Sequence, residues 1–129
     1  MSHRTTIKTQ IRDLEALVDA CVELGLRFVP NSTCRGYDSA VTSAPYVIKL
    51  RGPYDIGVYP SPQKDGTYDL VTDWYKEHVA KEVGAGFGRL LQSYGVHKTI
   101  REAALRGLRT TRKVEADGTI LLTLEGGSL

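Results

Sequence analysis

The chain has 129 residues, of which 41% are hydrophobic and 25% charged, and its formal net charge at pH 7 is +2. This length and composition predict one globular domain and exclude the disordered and collagen-like classes. The sequence contains no run of roughly 18 apolar residues and begins with a polar segment, so we expect no membrane span, no signal peptide and a cytoplasmic protein.

The N-terminal third predicts a strand and then a helix. Residues 3–11 alternate between apolar-leaning and polar side chains, the period of a half-buried strand, which places His3 on the side that faces the core. A helix is expected over residues 14–24, with Asp13 as its N-cap and Gly25 at a left-handed C-terminal position.

The middle of the chain is rich in strand signals. A second extended segment starts at Phe28, and we expect Pro30-Asn31-Ser32 to interrupt it. Further strands are predicted over the β-branched and aromatic segments 46–51, 55–60 and 67–74. Asp65-Gly66 lies between the last two of these, and this dipeptide is a strong hairpin signal.

The C-terminal half predicts two helices followed by a hairpin. Residues 76–94 have a helical apolar period, which Gly84, Gly86 and Gly88 weaken, so a break is expected there. A second helix is predicted over 96–107, and the two closing strands lie on either side of Asp117-Gly118.

The predicted order of elements is β-α-β-β-β-β-α-α-β-β. Because short turns join most of the strands, we predict a single α+β domain over residues 1–129, with a mainly antiparallel sheet and the helices packed on one face.

Several segments, taken in order, carry a family resemblance. They are SHRTTIKTQIRDLEAL at the start, Arg35-Gly36-Tyr37, DGTYDLVTDW, Gln92-Ser93-Tyr94 and the terminal DGTILLTLE. Together they resemble the family called domain of unknown function twelve fifty-seven, found in cyanobacteria and algal plastids, although Arg4 departs from its pattern. The resemblance implies no activity and no catalytic residue. Members of the family tend to be encoded beside an AAA-type ATPase, which implies an accessory role.

The clearest candidate binding surface is a basic helix-hairpin segment over residues 98–113. Its cations are Lys98, Arg101, Arg106, Arg109, Arg112 and Lys113. We place the first four on the polar side of a helix that extends to residue 109, and the last two in the strand that follows. Three interpretations stay open for this surface: an acidic protein partner, nucleic acid contacted through phosphates, or a solvated face that binds nothing.

A small enzyme or metal site around His3, Asp73 and His78 is a further alternative. It requires the fold to bring these side chains together, because no HExxH or CxxC motif is present. Asp73 is equally suited to cap a helix that begins at residue 76. The glycines at 84–88 have the spacing GxGxG, which is not a nucleotide fingerprint. We therefore assign no catalytic residue, no metal ligand and no cofactor.

The sequence hypothesis is accordingly a non-enzymatic accessory or adaptor protein. We expect it to bind another protein, with an AAA-type ATPase as the candidate partner, and homo-oligomerisation is left open. Nucleic-acid binding through the 98–113 segment is the first alternative, and the enzyme or metal site is the second.

Overall fold

The computed structural model describes residues 4–126 of the chain, and its helices and strands follow the predicted order. They are β1 (Arg4–Lys8), α1 (Leu14–Glu23), β2 (Arg27–Arg35), β3 (Val41–Lys49), β4 (Ile56–Pro60), β5 (Tyr68–Asp73), α2 (Ala80–Val83), α3 (Gly88–Leu105), β6 (Leu108–Val114) and β7 (Ile120–Gly126). Short 3₁₀ turns at Tyr37–Ser39 and Ala85–Phe87 precede β3 and α3.

Five strands form one antiparallel sheet in the order β1-β5-β4-β3-β2, and β6 and β7 form a separate two-stranded sheet. The predicted α+β class, with a mainly antiparallel sheet and helices on one face, is confirmed. Within residues 4–126, no helix combines the length and the apolar character needed to cross a bilayer.

The helix α1 forms where its capping residues predict it. The Asp13 carboxylate accepts a hydrogen bond from the N–H of Ala16 at 3.1 Å, which satisfies a donor that the helix leaves open. Gly25 follows the helix with φ +74°, a conformation that glycine adopts without a Cβ clash. Cys21 lies on the buried face, as expected, and burial raises the pKa of its thiol to about 12.

The main core lies between the large sheet and the helices α1 and α3. Its largest fully buried side chains include Leu17, Ile48, Leu70, Phe87 and Leu90. At the edge of this core the Tyr94 hydroxyl accepts hydrogen bonds from the backbone N–H groups of residues 12 and 13, at 3.0 and 3.1 Å. The start of α1 is thereby attached to α3.

The β2–β3 hairpin curls back across the face of the sheet that points away from the helices. Its first residue, Arg27, pairs with Lys49, yet the N–H of Asp55 donates to the carbonyl of the last residue, Arg35, at 3.0 Å. Both ends of β2 therefore lie near residues 49–55. The curl encloses a second, smaller core made of Cys34, Ala44 and Val47, with Tyr59 against it.

Two local predictions were wrong in the first two thirds of the chain, and a third is confirmed in part. The interruption expected at Pro30-Asn31-Ser32 is a local one: Asn31 has φ +46° and is missing from the β2–β3 register, but β2 continues beyond it to Arg35. The strand expected from residue 46 begins at Val41, inside the curled hairpin. Asp73 ends β5 and caps no helix, since the next helix begins at Ala80.

The two predicted C-terminal helices were also placed wrongly. The break expected at the glycines is present, with φ +84° at Gly84, but residues 88–105 then form one helix that continues through Gly95. A glycine in a helix interior costs about 0.5–1 kcal/mol relative to alanine. Burial of the neighbouring Tyr94 and Val96 outweighs that cost.

Candidate functional site

The predicted basic segment is divided between two elements. Lys98 and Arg101 lie on α3 and Arg106 follows its last residue, whereas Arg109, Arg112 and Lys113 lie on β6. The prediction that Arg109 lies on the helix was wrong, because the chain turns at Gly107, which has φ +76°. The placement of the two later cations in a strand is confirmed.

Two of the cations bind α1 and so attach the C-terminal elements to the rest of the domain. The Arg101 guanidinium is 2.7 Å from the Asp19 carboxylate. Arg112 forms two parallel hydrogen bonds with Glu23, at 2.9 and 2.8 Å. Asp19 and Glu23 are four residues apart and therefore lie on the same face of α1.

Lys98 is also engaged, since its ammonium is 3.5 Å from the carboxylate of Glu102 one helical turn away. The remaining three cations, Arg106, Arg109 and Lys113, are exposed and form no ion pair within the described residues. The basic segment thus contains three cations with internal carboxylate partners and three that are open to solvent.

The unpaired cations share the hairpin with exposed apolar side chains. Leu105, between α3 and β6, is 89% exposed, and Val114, Leu121 and Leu124 are 62%, 49% and 44% exposed. Leu121 is the direct cross-strand neighbour of Lys113 and lies on the same face. Arg109, Lys113 and Leu121 lie on one face of the hairpin, and Val114 and Leu124 lie on the other. We call the following seven residues, which therefore include both faces of the hairpin, the C-terminal surface: Leu105, Arg106, Arg109, Lys113, Val114, Leu121 and Leu124.

Sequence reasoning found the cations of this surface but not its apolar residues. The signal was the run Ile120-Leu121-Leu122, which a two-stranded hairpin cannot bury on both faces. Ile120 and Leu122 are half-buried, whereas Leu121 points to the opposite face of the hairpin.

A three-residue cluster fixes the hairpin against α1. The Nε2 atom of His97 is 2.8 Å from Oε1 of Glu23, whose carboxylate also binds Arg112. The hydrogen bonds from Arg112 lower the pKa of Glu23 to about 2, against a smaller effect of burial and with further help from His97.

We expect Glu23→Gln to lower the free energy of unfolding by about 1 kcal/mol, the upper end for partly exposed ion pairs. A depressed carboxylate pKa stabilises the fold above the unfolded value of about 4.3, and this contribution is lost as the pH falls towards 2. Urea denaturation at pH 7 and pH 3 measures both effects. Glu102→Gln, which removes an exposed pair within one helix, is the matched control and should cost less than half as much. Equal losses for the two variants would contradict the role of the cluster.

Two of the three residues predicted for an enzyme or metal site, Asp73 and His78, lie within the described part of the chain. His3 lies outside the described residues. Asp73 is buried and accepts hydrogen bonds from the backbone N–H groups of Tyr37 and Tyr75, at 2.8 and 3.4 Å. The ring of His78 stands edge-on to Tyr54, 5.4 Å between centroids. In this arrangement Asp73 fixes the tip of the curled hairpin.

A comparison with protein families gives one match that covers most of the domain. The model described as "Protein of unknown function (DUF1257)" matches residues 20–123. This chain belongs to the DUF1257 family. The match begins within α1 and extends into β7, so it includes the Glu23–Arg112 attachment and most of the C-terminal surface.

The DUF1257 protein is also similar to one curated relative. It is 29% identical over 127 residues to the "Uncharacterized protein ycf35" of Guillardia theta, and the similarity covers 97% of both chains. The search of solved structures found no significant match.

Proposed function

We propose that this DUF1257 protein is a non-enzymatic accessory protein that binds another protein through its C-terminal surface. The observation that carries the proposal is that leucine and valine side chains are exposed on both faces of a hairpin that pairs with no other strand of residues 4–126. Exposed apolar residues rimmed by charged ones are typical of protein interaction sites.

The unpaired cations indicate the charge of the partner. Arg109 and Lys113 share the face of the hairpin that exposes Leu121. Like Arg106, they form no ion pair within the described part of the chain. An acidic protein surface would supply carboxylate partners and would speed association. An AAA-type ATPase, which the family resemblance suggests, is the candidate we would test first.

A cytoplasmic location belongs to the same proposal. Cys21 is buried and forms no disulfide bond, and a reduced thiol suits a reducing compartment.

Nucleic-acid binding is a weaker candidate for this surface. Lys98, Arg101 and Arg112 already bind carboxylates of the same chain, so only three cations remain for phosphate contacts. Few phosphate contacts give little counterion release and therefore weak binding.

The double variant Arg109→Glu/Lys113→Glu tests the proposal. Both side chains are exposed and lie on one face of β6, so we expect an intact fold and at least about a tenfold loss of affinity for the partner. Tagged wild-type and variant proteins are purified from the native host, co-purifying proteins are identified by mass spectrometry, and binding of the purified pair is then measured.

The control variant Lys64→Glu/Lys81→Glu makes the same charge change at exposed positions outside the C-terminal surface. It should retain the partner that Arg109→Glu/Lys113→Glu loses. If both variants retain the partner equally, or if no protein co-purifies with the wild type in stoichiometric amount, the proposal is wrong. Recovery of nucleic acid, with affinity that falls steeply with salt, would favour the alternative.

A further inference from the structure

The two ends of the curled strand β2 meet at a cleft of about 470 Å³, distant in the sequence from the C-terminal surface. We call it the basic cleft, and its lining residues are Gly25, Arg27, Arg35, Lys49, Leu50 and Arg51. Four of these six side chains are cationic. We propose that the basic cleft binds a phosphate group, either as free inorganic phosphate or as part of a phosphomonoester.

Two of the four cations are held in place by one buried carboxylate. Asp55 is fully buried, and its two oxygens accept hydrogen bonds from Nε and Nη2 of Arg35, at 2.8 and 2.7 Å. The ammonium of Lys49 is 3.7 Å from the same carboxylate and also donates to the carbonyl of Thr33. One negative charge therefore fixes two positive ones, and a positive charge remains at this end of the cleft.

The other two cations, Arg27 and Arg51, have N–H groups that no acceptor within residues 4–126 uses. Arg27 is exposed, and its side chain has no hydrogen-bond or ion-pair partner within residues 4–126. The Arg51 guanidinium donates to the carbonyl of Gly25 at 3.3 Å, which leaves most of its N–H groups free. A side chain at position 25 would collide with this guanidinium, so the glycine permits the close approach.

A second carboxylate, that of Glu82, offsets part of the positive charge, since it helps to raise the pKa of Arg35, but four cations still face two carboxylates. Glu82 accepts hydrogen bonds from the backbone N–H groups of Arg51 and Gly52, at 2.8 and 2.9 Å. It is thus used to hold the 51–52 turn, which in turn positions the Arg51 side chain at the cleft.

Phosphate is the anion that this arrangement fits. Guanidinium groups bind phosphate oxygens through pairs of N–H donors, and a dianion offsets more of the surplus charge than a carboxylate does. Because Arg35 and Lys49 are already fixed by Asp55, little conformational entropy of their side chains is lost on binding.

The test is an NMR titration of the full chain with sodium phosphate and, separately, with adenosine monophosphate. Ionic strength is held constant with sodium chloride. We expect saturable shifts of the backbone amide signals of Gly25, Leu50, Arg51 and Gly52. The variant Arg27→Gln/Arg51→Gln should weaken binding at least about tenfold, because it removes the two cations with free donors.

The control variant Lys64→Gln/Lys81→Gln removes the same charge from exposed positions outside both the cleft and the C-terminal surface, and it should bind like the wild type. Equal affinity for the two ligands would show that the phosphate group alone is recognised, and tighter binding of the nucleotide would identify a phosphomonoester ligand. Shifts that do not saturate, or that sodium chloride reproduces, would overturn the proposal. Unchanged affinity in Arg27→Gln/Arg51→Gln would also overturn it, and the single variant Arg27→Gln replaces the double variant if the latter fails to fold.

Discussion

Replacing Asp55 with alanine should lower the free energy of unfolding by about 3 kcal/mol, because it leaves backbone donors without an acceptor, at about 1–3 kcal/mol each, and removes the partner of the partly exposed Arg35. Asp55 is fully buried and accepts four hydrogen bonds, from Nε, Nη2 and the backbone N–H of Arg35 and from the backbone N–H of Leu50. The substitution leaves those donors, and the Arg35 charge, without their acceptor. Urea denaturation measures the loss, which is a large fraction of the stability of a typical domain.

The same residue predicts a pH dependence. Burial by itself raises the pKa of Asp55, but the hydrogen bonds from Arg35 and Leu50 outweigh it and hold the pKa below its ordinary value. The stabilisation is therefore complete above the unfolded value of about 3.9 and is lost as the pH falls through the lower folded value. The stability of Asp55→Asn should therefore lack this dependence on pH, because asparagine does not titrate. Asp38→Asn, at an exposed position near the hairpin tip, is the control and should change stability by less than about 0.5 kcal/mol. Similar costs for the two asparagine variants would refute the role of Asp55.

Replacing Phe87 with alanine should lower the free energy of unfolding by about 3–5 kcal/mol, the range for truncation of a buried phenylalanine. Phe87 has no exposed surface, and its ring centroid is 4.8 Å from that of Trp74. It also has φ +65° at the residue before α3, an uncommon conformation for a non-glycine residue. The backbone strain is tolerated because this conformation directs the ring into the core.

Comparison of Phe87→Ala with Phe87→Gly separates the lost ring from the strained backbone. Glycine in place of alanine normally destabilises by about 0.5–1 kcal/mol, but relief of a left-handed conformation recovers about 1–2 kcal/mol. We therefore expect Phe87→Gly to be at least as stable as Phe87→Ala. Ala85→Gly changes a neighbouring position without positive φ, so it should lower the free energy of unfolding by the usual amount, about 0.5–1 kcal/mol. A glycine variant clearly less stable than the alanine variant at position 87 would contradict the argument.

Local signals in the sequence were sufficient to predict the order of the elements. Asp13 and Gly25 delimit α1, and Asp65-Gly66 and Asp117-Gly118 lie in turns between paired strands. These signals act over a few residues, so they can be recognised without knowing the rest of the fold. The continuous helix through Gly95 was missed because its stability comes from core contacts of adjacent residues, which no local pattern shows.

The C-terminal surface and the basic cleft could not be predicted in full, because both depend on contacts between residues far apart in the chain. Arg101 and Arg112 bind α1 side chains more than 80 positions earlier, so composition alone could not distinguish them from Arg109, which forms no ion pair within residues 4–126. The basic cleft was missed for the same reason. Arg27 and Arg35 occupy opposite ends of one strand, and only the curl of the β2–β3 hairpin brings them to a common cleft.

The position of β1 in the sheet has a consequence for synthesis on the ribosome. Strands β2 to β5 pair in the order in which they are made, but within the described part of the chain β1 pairs with β5 alone. At about 5–20 residues per second, translation reaches the end of β5 roughly 3–13 s after it has passed the end of β1. During that interval β1 exists without its partner. Its sequence, Arg-Thr-Thr-Ile-Lys, has a charge at each end and one large apolar residue, a composition that discourages pairing with other nascent chains.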